Sequence, residues 1–126
     1  MAKGGIWHGR SVASLLPPAV RRALLYACTT TSDELGHKGI RVNSVCPGLV
    51  ETELASALLE TPPVLEDYLN CMPIGRHGTV NDIASAVRFL CGPESSWITG
   101  VVLSVDGGHH LRRGPNLTPF VPGSEG

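Results

Sequence analysis

The chain has 126 residues, 42% hydrophobic and 5% aromatic, with ten basic and eleven acidic side chains and a net charge of −1. One domain's length with this apolar share fits an Ala/Val/Leu-rich globular unit and excludes a charge-rich disordered chain. The scattered, balanced charge leaves no footprint for nucleic acid, and no apolar run nears the ~18 residues of a membrane span. The opening "MAKGGIWHGR" holds no apolar signal core. Cys28, Cys46, Cys71 and Cys91 stand alone, without a Cys-x-x-Cys pair. They read as reduced, mostly buried thiols of a cytoplasmic protein rather than as a zinc site.

In chain order, Val20, Ala23, Leu24, Ala27 and Leu35 predict a helix over 17–35, with Pro17 and Pro18 tolerable in its first turn. The run "CTTTSDE" weakens its middle, and Gly36 and Gly39 supply a C-cap and a turn. "IRVNSVC" (40–46) reads as a short buried strand ending on Pro47-Gly48. Short helices are expected over 54–59, halted by Pro62 and Pro63, and over 64–69. The clearest helix is 80–91. Thr79 is its N-cap, Asp82 completes a near capping box, and Ile83, Ala86, Val87 and Leu90 fall on one face. Gly92-Pro93 stops it. A second buried strand, 101–105, closes on Gly107-Gly108, and the Pro/Gly-rich tail from Arg112 onward reads as loose.

Strand, lid-like helices, amphipathic helix, strand is the alternation of an α/β protein with a parallel sheet. The expected sheet sets 40–46 beside 101–105, with helix 80–91 crossing over in the right-handed sense. A further strand is expected near 5–10. Ligands of such sheets bind beyond the carboxyl ends of the strands, which places Pro47-Gly48 at the mouth of a crevice. His109 and His110 are adjacent, so their side chains are expected to diverge. A C-terminal turn is the preferred reading over a metal site.

Several motifs occur in a fixed order: "GIRVNSVCPG", "PIGRHG", the capped helix ending in "FL", and "ITGVVLSVDGG". In that order they resemble the carboxyl-terminal part of a classical short-chain dehydrogenase/reductase, over about residues 31–113. The resemblance implies a Rossmann-like parallel sheet, the C-terminal portion of a doubly wound fold. It also implies an NAD- or NADP-dependent oxidoreductase acting on a small-molecule alcohol or ketone, with homo-oligomers common in the family. Carried onto this chain, it puts Pro47 and Gly48 beside the nicotinamide. The backbone near Val50 and the hydroxyl of Thr52 fall at its carboxamide, and residues 53–70 correspond to a mobile substrate lid. A carboxamide needs one donor and one acceptor, and a hydroxyl supplies both. Thr52 also reads as a plain helix N-cap before "ELASALL".

The departures from the family are as specific as the matches. The family's chemistry uses a Ser, a Tyr and a Lys four residues after the Tyr; no Tyr-x-x-x-Lys occurs here, and ungapped counting puts Pro17 and Arg21 in those places. Proline has no proton to give, and arginine tunes a neighbour's pKa poorly. Ser11 in "GGIWHGRSVAS" is the candidate catalytic serine; an ordinary loop serine is the other reading. No TGxxxGxG or GxGxxG is present to cradle a pyrophosphate. Residues 1–30 therefore read as an atypical N-terminal segment, a truncation or frame boundary; 31–113 as the C-terminal part of a Rossmann domain; and 114–126 as a loose tail. Two functions stay open: an oxidoreductase represented by an incomplete chain, and a catalytically inactive remnant acting in structure or oligomerisation.

Overall fold

The computed structural model describes residues 18–117. The strand expected near 5–10 and Ser11 lie outside the described residues.

Helix α1 spans Pro18–Gly36. The predicted helix is therefore continuous, and the Thr/Ser run does not interrupt it. Ser32 Oγ and Thr29 Oγ1 donate back to the carbonyls of Thr29 and Leu25, at 2.8 and 2.9 Å, so these hydroxyls are satisfied within the helix. Tyr26 projects from α1 and is 73% exposed.

Strand β1 is Ser44–Pro47 and β2 is Val102–Val105, four residues each. They pair in parallel, Ser44 opposite Val102 through Pro47 opposite Val105. Parallel adjacency agrees with the sequence reading; the length of β1 does not. Residues 40–43 form a lead-in held chiefly by side chains instead of a ladder. Arg41 donates to the carbonyls of Ile98 (3.1 Å) and Gly92 (3.2 Å). Asn43 donates to Ile98 O and accepts from Val101 N, both at 3.1 Å. Thr99 Oγ1 accepts from Val42 N at 3.1 Å, so three polar side chains span the gap, and one backbone bond, Gly100 N to Val42 O at 2.8 Å, joins them.

Between the strands lie a 3-10 turn (Glu53–Ala55), α2 (Ser56–Leu59), α3 (Pro62–Asn70) and α4 (Val80–Cys91). Pro62 and Pro63 open α3 as well as ending α2, because a helix's first turn needs no N–H from them. Helix α4 has the expected bounds. Its Thr79–Asp82 capping box is complete, with Thr79 N to Asp82 Oδ2 at 2.8 Å and Asp82 N to Thr79 Oγ1 at 3.3 Å.

The core sits at the carboxyl end of the sheet. Leu49, Val64, Tyr68 and Met72 form it, flanked by Ala55, Leu58, Leu59, Leu65, Leu69 and Leu117. The strands, expected to be buried, are only half-buried. On α4, Leu90 is buried while Val87, expected inward, is 43% exposed. Among the described residues two strands are too narrow to cover a helix face fully, whereas parallel sheets are ordinarily packed on both sides. Cys91, the last residue of α4, is also exposed, against the expectation for a residue in an apolar run; Cys28 and Cys71 are buried.

Candidate active site crevice

Beyond Pro47 the two strand ends are fitted together by a glycine. Gly48 is buried, and its N–H donates to Val105 O at 3.0 Å. A Cβ there would lie 2.7 Å from both Cα and Cβ of Asp106. The close approach inferred from Pro47-Gly48 is thus, in the first place, to this chain's own Asp106.

Asp106 in turn closes the end of β2. Its carboxylate accepts from Gly108 N (3.1 Å), His110 N (3.0 Å) and, at 2.9 Å, His110 Nδ1. Gly107 and Gly108 take φ of 62° and 84°, the left-handed region that glycine enters without strain, which accounts for the glycine pair. The histidines diverge as expected. His110 turns to Asp106, and His109 is buried edge-on against Tyr68, with ring centroids 5.4 Å apart. Among the described residues no group of three His, Cys, Asp or Glu side chains could hold a metal ion.

The loop after β1 runs beside the "GRHGT" segment. Gly78 N donates to Leu49 O (2.7 Å) and Glu51 N to Gly78 O (3.0 Å), making an isolated parallel bridge at Val50. In such a bridge the flanking residues face the partner, so Val50's own N–H and C=O point to the other side. Among the described residues they have no hydrogen-bond partner. Thr52 caps the following turn, its hydroxyl oxygen accepting from Ala55 N at 3.3 Å. The side chain is exposed and keeps its own O–H proton to donate. Gly48, Val50 and Thr52 therefore share the loop that follows Pro47, the last residue of β1, and Thr52 is an N-cap whatever else it does.

The adjoining loop is pinned by Arg76, whose guanidinium grips Asp82 through both oxygens at 2.8 and 3.0 Å. With Thr79 on the same carboxylate, the Asp82 carboxyl is held far below the usual range, mainly by Arg76. Sequence reading assigned Asp82 only a capping role; an Arg six residues before it, across the N-cap, was the available signal. A cavity of about 330 Å³ opens here, lined by Leu49, Ile74, Arg76, Gly78, Val105 and His110 among others. It takes Leu49 from the loop, and the four predicted residues do not line it. Cys46, at the end of β1, is half-buried; burial raises its pKa and the Asp106 carboxylate adds to the effect.

The tail, expected to be loose, is tied down as far as it is described. Arg113 meets both carboxylate oxygens of Asp67 on α3, with Nη1–Oδ2 at 2.8 Å, and Asn116 N donates to the same Oδ2 at 2.6 Å. Arg112 donates to Asn70 O at 3.0 Å. Arg113, followed by the Asn116 amide, brings the Asp67 pKa down to about 2. This contact joins residues 46 apart in sequence and carries no local signal.

Two parallel strands joined through helices, with a loop and short helices beyond the carboxyl end of β1, are consistent with a Rossmann-type α/β protein. The family described as enoyl-(acyl carrier protein) reductase matches residues 16–110. The chain belongs to the short-chain dehydrogenase/reductase family. It is 42% identical over 76 residues to galactitol 2-dehydrogenase (L-tagatose-forming) of Cereibacter sphaeroides, covering 60% of this chain and 30% of that one. To 3-oxoacyl-[acyl-carrier-protein] reductase of Chlamydia muridarum it is 40% identical over 90 residues, covering 71% and 36%. The chain thus spans about a third of the length of these curated relatives. Among solved structures, a short-chain dehydrogenase/reductase of Mycobacterium ulcerans superposes with a TM-score of 0.81 at 35% identity, over 94% of this chain and 42% of that one. An Agrobacterium tumefaciens protein with bound NADP gives a TM-score of 0.73 at 30% identity, over 82% and 45%. A 4-hydroxyisoleucine dehydrogenase complexed with NADH gives 0.74 at 26%, over 82% and 46%.

Proposed function

We propose that this chain forms the crevice-side part of an NAD(P)-dependent oxidoreductase that interconverts an alcohol and a ketone. The observation that carries the reading is the orientation of Val50. Its N–H and C=O face away from Gly78, leaving one donor and one acceptor side by side on the crevice loop. That pair matches the two hydrogen-bonding needs of a carboxamide. Thr52, two residues on, adds a hydroxyl whose proton remains available while its oxygen caps the turn. NAD or NADP, when bound, supplies or accepts the hydride.

The chain's own residues then position the cofactor's ring. Val50 and Thr52 would hold the cofactor's carboxamide through the Val50 peptide and the Thr52 hydroxyl. The Gly48–Asp106 fit sets where that loop leaves the sheet, and residues 53–70, packed on Leu49 through Val64 and Tyr68, would shield bound cofactor from water. Proton transfer needs the acid–base pair of the Tyr-x-x-x-Lys pattern, which this sequence does not contain. Such catalysis is typically worth about 10²- to 10⁴-fold, and positioning a cofactor can account for roughly 7–11 kcal/mol of a barrier.

The test is a fusion of residues 36–117 to an upstream half that carries a Gly-rich turn and a Tyr-x-x-x-Lys segment. The fusion is expected to oxidise NADH or NADPH against a panel of small ketones, and Thr52→Val to raise the cofactor KM severalfold. The unmodified chain is expected to show no turnover. A folded fusion that binds neither cofactor sinks the proposal. So does saturable NAD(P)H oxidation by the unmodified chain that Thr52→Ala abolishes, because the catalytic groups would then lie elsewhere.

A further inference from the structure

The lid region is anchored to the core by one face of α3. Val64 and Tyr68, one turn apart, are 0% and 4% exposed and pack with Leu49 and Met72. Apolar contacts of this kind are not directional, so they fix the helix's rotation and angle on Leu49 and Met72 less specifically than paired hydrogen bonds do. Directional bonds come from the tail. Arg113 grips both oxygens of Asp67, a two-point contact that fixes angle as well as distance. The Asn116 amide adds a third bond to the same carboxylate, at 2.6 Å. Arg112 reaches Asn70 O at 3.0 Å, at the helix end where carbonyls lack partners and the dipole favours a cation. Leu117 then packs against the same core.

The other end of the tail is also fixed. It leaves β2 through the turn in which Asp106 accepts from Gly108, His110 N and His110 Nδ1. Residues 112–117 therefore run from a fixed point on the sheet to the lid.

We propose that Arg112–Leu117 is a strap that sets the position of lid helix α3, with Arg113 its positioning residue, so that the lid moves off the crevice only when the Asp67–Arg113 pair parts. The role of residues 53–70 as a lid rests on the oxidoreductase reading; the mechanical coupling of tail to α3 does not. Such a strap makes lid motion sensitive to ionic strength, because Arg113 is exposed and salt screens exposed charges. It also makes the tail, remote in sequence, a determinant of how easily substrate enters.

Hydrogen exchange read by mass spectrometry on the 126-residue chain tests the strap without any cofactor. Arg113→Ala is expected to speed exchange of peptides within 64–70 by about two- to fivefold, the range for an exposed ion pair, while 83–91 in α4 stays unchanged. Arg113→Lys keeps the charge but not the two-point grip, and should fall between. The double reversal Asp67→Arg/Arg113→Asp should restore part of the protection. Added salt at 0.5 M should speed 64–70 in the wild type and leave Arg113→Ala unmoved. Unchanged exchange of 64–70 in Arg113→Ala overturns the proposal. Equal acceleration of 64–70 and 83–91 in both Arg113 variants overturns it too, since Arg113 would then support the whole fold. A failed NAD(P)H test on the fusion leaves these exchange results standing, and the reverse also holds.

Discussion

Replacing Gly48 by alanine separates a glycine required by folding from one required by a ligand. The added methyl would lie 2.7 Å from Asp106 Cα and Cβ and 3.2 Å from its carbonyl oxygen. Carbon atoms settle at about 3.5–4.0 Å, so relief needs a shift of nearly 1 Å. The obstacle cannot swing away as the tip of a side chain would. It is backbone, held by the Gly48–Val105 bond and by the Asp106 carboxylate's bonds to Gly108 and His110. Overpacking of this sort costs about 1–3 kcal/mol, and restricting the unfolded chain returns roughly 0.4–1. The net expectation is a loss of about 1–2 kcal/mol, which at a slope of roughly 1–3 kcal/mol per molar lowers the urea midpoint by about 0.3–2 M. Gly36→Ala is the control: nothing lies within 4 Å of its added Cβ, and its φ is not positive, so stability should hold or rise by a few tenths of a kcal/mol. A Gly48→Ala midpoint at or above the wild type refutes the reasoning. If in addition the Gly48→Ala fusion lost NAD(P)H binding, the glycine would belong to the cofactor and not to the sheet.

Thr79→Ala should remove the capping box of α4 and cost about 1 kcal/mol in urea unfolding, with Thr79→Ser near neutral. Val64→Ala, at a fully buried site, should cost about 2 kcal/mol from two lost methyls and the space they leave; a smaller loss would mean that α3 closes over the gap. Asp67 should titrate with a midpoint near 2 by carboxyl-carbon NMR. Because that value is depressed, the pair's support of the folded state is present above about pH 4 and is lost as pH falls toward 2. In Arg113→Ala the midpoint should return toward about 4, and an unmoved midpoint would show that Arg113 is not its cause.

Local signals accounted for the elements whose stability is local. Helix α4 was legible to the residue because its cap, its apolar spacing and its Gly-Pro stop all lie within a short window. The parallel pairing of β1 and β2 followed from the strand–helix–strand alternation together with the family resemblance, since such a unit has few other arrangements. The length of β1 was not legible. Whether residues 40–43 join a ladder depends on Arg41 and Asn43 meeting the carbonyls of Gly92 and Ile98, more than 50 residues away. Val87's exposure was equally hidden, because periodicity says which residues share a helix face and not how much sheet lies beneath it.

The crevice divides the same way. Motif order determined that residues 48–52 form one loop at a strand's carboxyl end, because Pro-Gly after an apolar run has a local conformational meaning. Only the folded chain decided what each residue does there. Gly48 faces Asp106, Val50 turns its peptide away from Gly78, and Thr52 caps a turn. The tail shows the limit most sharply. Its composition suggested a loose end, yet Arg113 lies against Asp67 across 46 residues. Composition reports the conformational entropy of a segment; whether one bidentate contact offsets that entropy depends on a partner that only tertiary folding brings within reach.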